Sequence, residues 1–253
     1  MEKLQYFSIL FTGGKGCGKS MMIVCFIMFF IEMGYELKVS EHRSPKEAFV
    51  TAGTDDHVTT KFQVARLEKK INNKTIVLEL IDSPGIEKSY KGQPWYGDMK
   101  ETFKKIMDGQ VRANSCVFEE RRHTLNSTNP DENIPKPMLA LVCSNQASVE
   151  SGNANDPLLN VLTKQLQKRA FSVSTKIDQS MEKDDKKTTV LKFNNGKFEE
   201  VLNDIRCVGD QNDLQFFSLT KETYFKFKDC DDIIKLHTAR FIHSILDMYN
   251  KNC

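Results

Sequence analysis

The sequence predicts an α/β fold: a mainly parallel sheet, covered by helices on both faces, with one antiparallel strand. Three observations carry this. Short apolar runs alternate with segments of helical spacing. The first strand leads through a glycine-rich loop directly into a helix. An Asn-Asn turn near residue 72 joins two β-rich runs into a hairpin. The chain has 253 residues, enough for one large domain, and no internal repeat or linker divides it. A single domain over residues 1–253 is expected.

The elements follow in order. Residues 4–11 form a short apolar strand, and residues 13–20 a loop. A helix runs over residues 19–33, with Gly34 placed to stop it. Residues 38–56 lack periodicity and read as loop. Residues 58–67 and 75–81 are β-rich, with the polar stretch 69–74 between them. After Asp82 comes the turn Ser83-Pro84-Gly85, and a helix is expected over residues 98–111. Residues 114–136 are polar, with Asn126 to Pro130 in a row, and read as a surface insertion. Residues 138–143 are an apolar run of the kind found in buried parallel strands. Residues 157–169 have helical spacing, residues 170–174 form a strand, and residues 181–187 are a solvated charge run. Residues 214–219 make the last strand, and residues 231–249 the last amphipathic helix.

Composition excludes several functions. Apolar residues make up 40% and charged residues 28%, as in ordinary globular proteins. The net charge of +2 gives no support to nucleic acid as a partner. The seven cysteines form no CxxC pair, so a zinc site is not expected and a reducing compartment fits best. The apolar run 21–33 is shorter than the roughly 20 residues needed to span a bilayer, and Glu32 interrupts its end. No integral membrane segment is predicted.

Gly13-Gly14-Lys15-Gly16-Cys17-Gly18-Lys19-Ser20 fits GxxxxGK[ST], followed by Met21 in the helix. Glycines let the backbone curl so that several N–H groups converge on phosphate oxygens. The following helix directs its N-terminal dipole at the same anion. Lys19 would neutralise the β- and γ-phosphates, and the Ser20 hydroxyl would bind Mg²⁺, a hard cation that prefers oxygen. A flexible turn would use the same glycines. The flanking strand and helix favour a phosphate loop.

Asp82-Ser83-Pro84-Gly85 fits DxxG at a strand end. Asp82 can hold Mg²⁺, and the Gly85 N–H can donate to a γ-phosphate and so sense it. Ser-Pro-Gly is also an ordinary turn; its position after a phosphate loop and a hairpin gives it meaning. A further magnesium oxygen is expected from Thr59 or Thr60. Neighbours on a strand point to opposite faces, so only one can serve.

Thr175-Lys176-Ile177-Asp178 follows a strand and fits [NT]KxD. A carboxylate at Asp178 accepts from the N1–H and amino group of guanine, a donor pair that adenine lacks. Lys176 would lie along the base plane. Ser218 and Leu219, after the last strand, are expected to contact the guanine oxygen.

The ordered set GGKGCGKS, DSPG, TKID and FSLTK resembles the Ras-like superfamily of P-loop GTP-binding domains, with their three-layer fold. Within it the chain is most similar to the interferon-induced protein 44 family. That similarity is carried by HVTTKF at residues 57–62 with the following hairpin, KIMDGQV at 105–111 and the stretch 216–246. A more distant similarity is to immune-associated GTPases. The resemblance implies a cytoplasmic GTP- and GDP-binding protein with bound Mg²⁺, linked to innate immune or antiviral responses. It implies no characterised reaction. Family members often carry a further N-terminal domain, whose function is not expected of this sequence. The residues 114–136 and the long interval from Asp82 to Thr175 depart from a minimal Ras-like domain.

Hydrolysis needs a positioned water. Many small GTPases place a glutamine just after DxxG; here that position is Ile86, and Gln93 lies farther along. Slow intrinsic turnover is expected, raised by self-association or by a partner. Residues 90–96, with Trp95, are placed to anchor an effector or a second copy, or to pack on their own domain. An ATP-binding P-loop enzyme and an interaction module with little turnover are the competing readings. Asp178 opposes the first and the intact Lys19-Ser20 pair the second.

Overall fold

A computed structural model describes residues 3–14, 16–38, 62–83, 85, 104–110, 136–145, 169–175, 214–216 and 231–252. Among the described residues, seven strands form one sheet: β1 (Lys3–Gly13), β2 (Glu36–Lys38), β3 (Gln63–Ile71), β4 (Lys74–Asp82), β5 (Leu139–Asn145), β6 (Ala170–Thr175) and β7 (Leu214–Phe216), in the spatial order β2-β3-β4-β1-β5-β6-β7. Strands β4, β1, β5, β6 and β7 run parallel. The hairpin makes β3 antiparallel to β4, and β2 pairs antiparallel to β3. The architecture is therefore α/β with a mixed, mostly parallel sheet.

Alternation along the strands sorts the core into two faces. Ile9, Phe11, Leu78, Leu80, Leu139, Leu141 and Cys143 pack with helix α1 (Lys19–Glu32) and helix α2 (Asp231–Asn252). Phe26 of α1 joins them, edge-on to Phe11 at 5.4 Å and to Phe241 of α2 at 6.0 Å. Each fully buried ring of this kind contributes about 2–3 kcal/mol. The alternate residues Leu10, Val77, Ile81, Ala140 and Val142 are buried on the opposite face. A sheet apolar and covered on both sides is what the near-continuous runs predict.

Local chemistry sets the boundaries. Helix α1 ends in a Schellman motif: Gly34 has φ +83°, its N–H donates to Ile31, and the Tyr35 N–H donates to Phe30. Tyr35 and Phe30 also stack edge-on at 5.2 Å, the apolar contact that accompanies this cap. The hairpin turn is Asn72-Asn73, with Asn72 at φ +52°.

Several expectations need correction. The polar stretch 69–71 belongs to β3, so the hairpin connection is two residues long. Lys38, placed in a loop, ends strand β2. The helix expected through residue 111 stops earlier: residues 104–107 are helical and Gly109 turns left-handed at φ +68°. Gln110 N–H then donates to Lys105, the same capping pattern as at Gly34. The last helix continues to Asn252. The insertion expected at 114–136 (apart from Lys136), the helix expected at 157–169 (apart from Arg169, which is not helical) and the charge run at 181–187 lie outside the described residues. No helix among the described residues is long and apolar enough to cross a membrane.

Candidate functional site

The site is built where β1, β4, β5 and β6 end together. Gly13, predicted as loop, is the last residue of β1 and pairs with Cys143 of β5. It has φ +136°, and a Cβ there would lie 2.0 Å from the Cys143 carbonyl oxygen. Only glycine lets the two strands approach so closely. The chain then curls through Gly16 and Gly18, both left-handed, and enters α1. Strand β1 is flanked by β4 on one side and β5 on the other, so the loop lies at a topological switch point of the sheet.

Helix α1 starts without a side-chain cap and without an acidic residue in its first turn. Its positive dipole end is therefore unopposed by a fixed negative charge of its own. Met21 is half-buried in the first turn.

Lys19 is buried and folds back over the loop. Its Nζ donates to the carbonyl oxygens of Gly14 at 3.0 Å and Gly13 at 3.4 Å, and approaches Cys17 Sγ at 3.8 Å. Burial works to lower its pKa. The facing Cys17, Asp82 and Cys143 outweigh that and hold the ammonium above its ordinary value.

Ser20 Oγ donates to Asp82 Oδ2 at 2.5 Å. Asp82 ends β4 beside Phe11, and the next N–H, that of Ser83, donates to the Phe11 carbonyl at 3.1 Å. Asp82 is fully buried. Burial pushes its carboxyl up to about 6, against the opposing pull of the Lys19 ammonium and the Ser20 hydroxyl. Its Oδ1 is buried with no hydrogen-bond partner.

Thr175, expected just beyond its strand, is the last residue of β6, and its hydroxyl donates to the Cys17 carbonyl. That bond ties the start of the TKID segment to the loop. Gly85 is described and half-buried. Lys15, Thr59, Thr60, Ile86, Gln93, Trp95, Lys176, Asp178, Ser218 and Leu219 lie outside the described residues. The structure thus brings together Gly13, Gly14, Cys17, Lys19, Ser20, Asp82 and Thr175.

Sequence reasoning missed two contributors. Cys143 supplies the backbone against which Gly13 packs, and only strand pairing reveals it. Gln63 stands opposite Asp82 in the β3–β4 pair and belongs to no motif.

Chemically, the Lys19 ammonium, the Ser20 hydroxyl and the start of α1 meet the Asp82 carboxylate brought in by β4. The polar set is oxygen-rich, and no group of three or more His, Cys, Asp or Glu forms a cluster among the described residues. Oxygen atoms of this kind can hold a hard divalent cation beside an anion. Compared with protein-family models and with curated proteins, the chain matches none of them.

Proposed function

We propose that the chain is a GTP-binding switch of the Ras-like P-loop type, with slow intrinsic or partner-stimulated hydrolysis. The observation that carries this is the convergence of buried Lys19 with the Ser20–Asp82 pair at the start of an uncapped helix.

The residues present fit a magnesium nucleotide. The Asp82 Oδ1 has a buried lone pair to offer, and Ser20 Oγ stands beside it. When bound, Mg²⁺ would neutralise charge on the terminal phosphates. Lys19, released from the Gly13 and Gly14 carbonyls, supplies a further positive charge. The first-turn N–H groups of α1 hold the phosphate oxygens. Thr175, which opens the TKID segment, is tied to the loop at Cys17, and in this reading Lys176 and Asp178 after it meet the base, Asp178 selecting guanine. Thr59 or Thr60 adds a magnesium oxygen, and Ser218 and Leu219 complete the base contacts.

Gly85 is the γ-phosphate sensor in this reading. Ile86 after it cannot orient a water, which is why turnover is slow without a partner. Self-association or an effector acting through residues 90–96 would complete the site. The resemblance to the interferon-induced protein 44 family supports a cytoplasmic role in innate immune or antiviral response.

Single-turnover hydrolysis tests the switch. Protein loaded with GTP should release phosphate slowly, at a rate that rises with protein concentration. Fast turnover independent of concentration would contradict it.

A further inference from the structure

Three side-chain oxygen atoms among the described residues are buried without a hydrogen-bond partner: Thr12 Oγ1, Gln63 Oε1 and Asp82 Oδ1. A buried polar atom left unsatisfied keeps its whole desolvation penalty, so each calls for a partner, and for the Gln63 and Asp82 oxygens that partner is a donor.

Strand parity sorts the three. Asp82 pairs with Phe11, and Phe11 lies on the face under α1. Gln63 is directly opposite Asp82 and two residues before Ala65, which belongs to the same core. Opposed residues of an antiparallel pair keep their Cβ atoms about 4.5–5.5 Å apart on one face. Thr12, one residue beyond Phe11, points to the other face. Gln63 and Asp82 therefore carry their orphaned oxygens on one face of the sheet, the face on which Asp82 meets the Ser20 hydroxyl.

Two acceptors cannot satisfy each other. The Ser20 hydroxyl is already given to Asp82 Oδ2, and the Lys19 ammonium is turned to the loop carbonyls. What satisfies both is a donor with two protons. Water in the shell of a bound divalent cation is such a donor, and Mg²⁺ keeps several waters when it binds protein.

We propose that Gln63 is a positioning residue of the magnesium site, its carboxamide oxygen accepting from cation-bound water together with Asp82 Oδ1. This rests on the nucleotide-binding reading above. Gln63 lies three residues after Thr60, so the strand that follows the threonine pair also supports the cation. Turned about, the carboxamide would instead donate from Nε2 to Asp82, a different role that a glutamate cannot perform.

The test measures retention of a fluorescent GDP across buffered Mg²⁺ concentrations, and separately in EDTA, for wild type, Gln63→Leu and Gln63→Glu. Gln63→Leu should raise the half-saturating Mg²⁺ concentration about 10- to 100-fold, with affinity in EDTA unchanged within about twofold. Gln63→Glu keeps an acceptor and should return the midpoint to the wild-type value or below. An unchanged midpoint in Gln63→Leu overturns the proposal. So does an equal loss in EDTA, which marks a packing role, or a Gln63→Glu variant as impaired as Gln63→Leu, which marks a donor to Asp82. If Gln63→Leu fails to fold, the Gln63→Glu midpoint decides alone: at or below wild type supports, above it overturns. If wild type itself retains GDP without regard to Mg²⁺, the magnesium reading falls and Gln63 falls with it. That outcome is visible in the wild-type arm alone.

Discussion

At neutral pH the Asp82 carboxylate is ionised in a place that resists its charge. Its carboxyl ionises near 3.8 in the unfolded chain and near 6 when buried. Between those values the folded protein holds more protons than the unfolded one, so stability declines as pH rises from about 4 to about 6 and stays lower above. The decline attributable to this residue is roughly 3 kcal/mol. A bound cation favours the ionised form and opposes it. Thermal melts from pH 4 to 7 should therefore fall more steeply for the free wild-type protein than for Asp82→Asn. Adding Mg²⁺ and GDP should flatten the wild-type profile. Parallel profiles for wild type and Asp82→Asn would show that the carboxyl is not buried as described. The motif residues Lys19, Ser20 and Asp82 were legible in the sequence because each has a chemistry tied to a spacing. Gln63 was not. Its place depends on a register partner 19 positions away, and a register emerges only when the hairpin turn is known.

Glycine marks two different constraints at the level of elements. At Gly34 the demand is conformational alone: φ is +83°, and an added Cβ would meet only the Lys69 side chain at 3.7 Å, an ordinary contact. At Gly13 the positive φ is joined by backbone at 2.0 Å. Gly34→Ala should cost about 1–2 kcal/mol. Gly13→Ala should cost more than about 3 kcal/mol and weaken nucleotide binding, since β1 and β5 must separate where the loop begins. Denaturant unfolding of both variants measures the difference, and equal costs would contradict the close approach of the two strands. Most elements were readable: β1, β4, β5, β6, α1 and α2 all have apolar patterns and marked ends. Strand β2 was missed because three residues carry no period. The charged end of β3 was missed because Lys69 and Lys70 lie at the outer end of a hairpin, where polar residues cost nothing. The helix before Gly109 is shorter than its apolar spacing through Val111 implies, because Gly109 in left-handed conformation ends it first.

For the molecule as a whole, the parallel strands bring their carboxyl ends to one edge, and the glycine-rich loop, Asp82 and Thr175 follow or end three different strands there. Fold class was legible from the alternation of strand and helix. The sheet order was not, because the side of β1 on which β5 lies leaves no mark in composition. That this edge holds guanine nucleotide can be read from equilibrium binding of GTP, ATP and xanthosine triphosphate, with and without Mg²⁺, to wild type and Asp178→Asn. Wild type should bind GTP in a Mg²⁺-dependent way, in preference to ATP by on the order of a hundredfold or more. Asp178→Asn should shift the preference from GTP to xanthosine triphosphate. Equal binding of ATP and GTP by wild type, or no nucleotide binding at all, would contradict it.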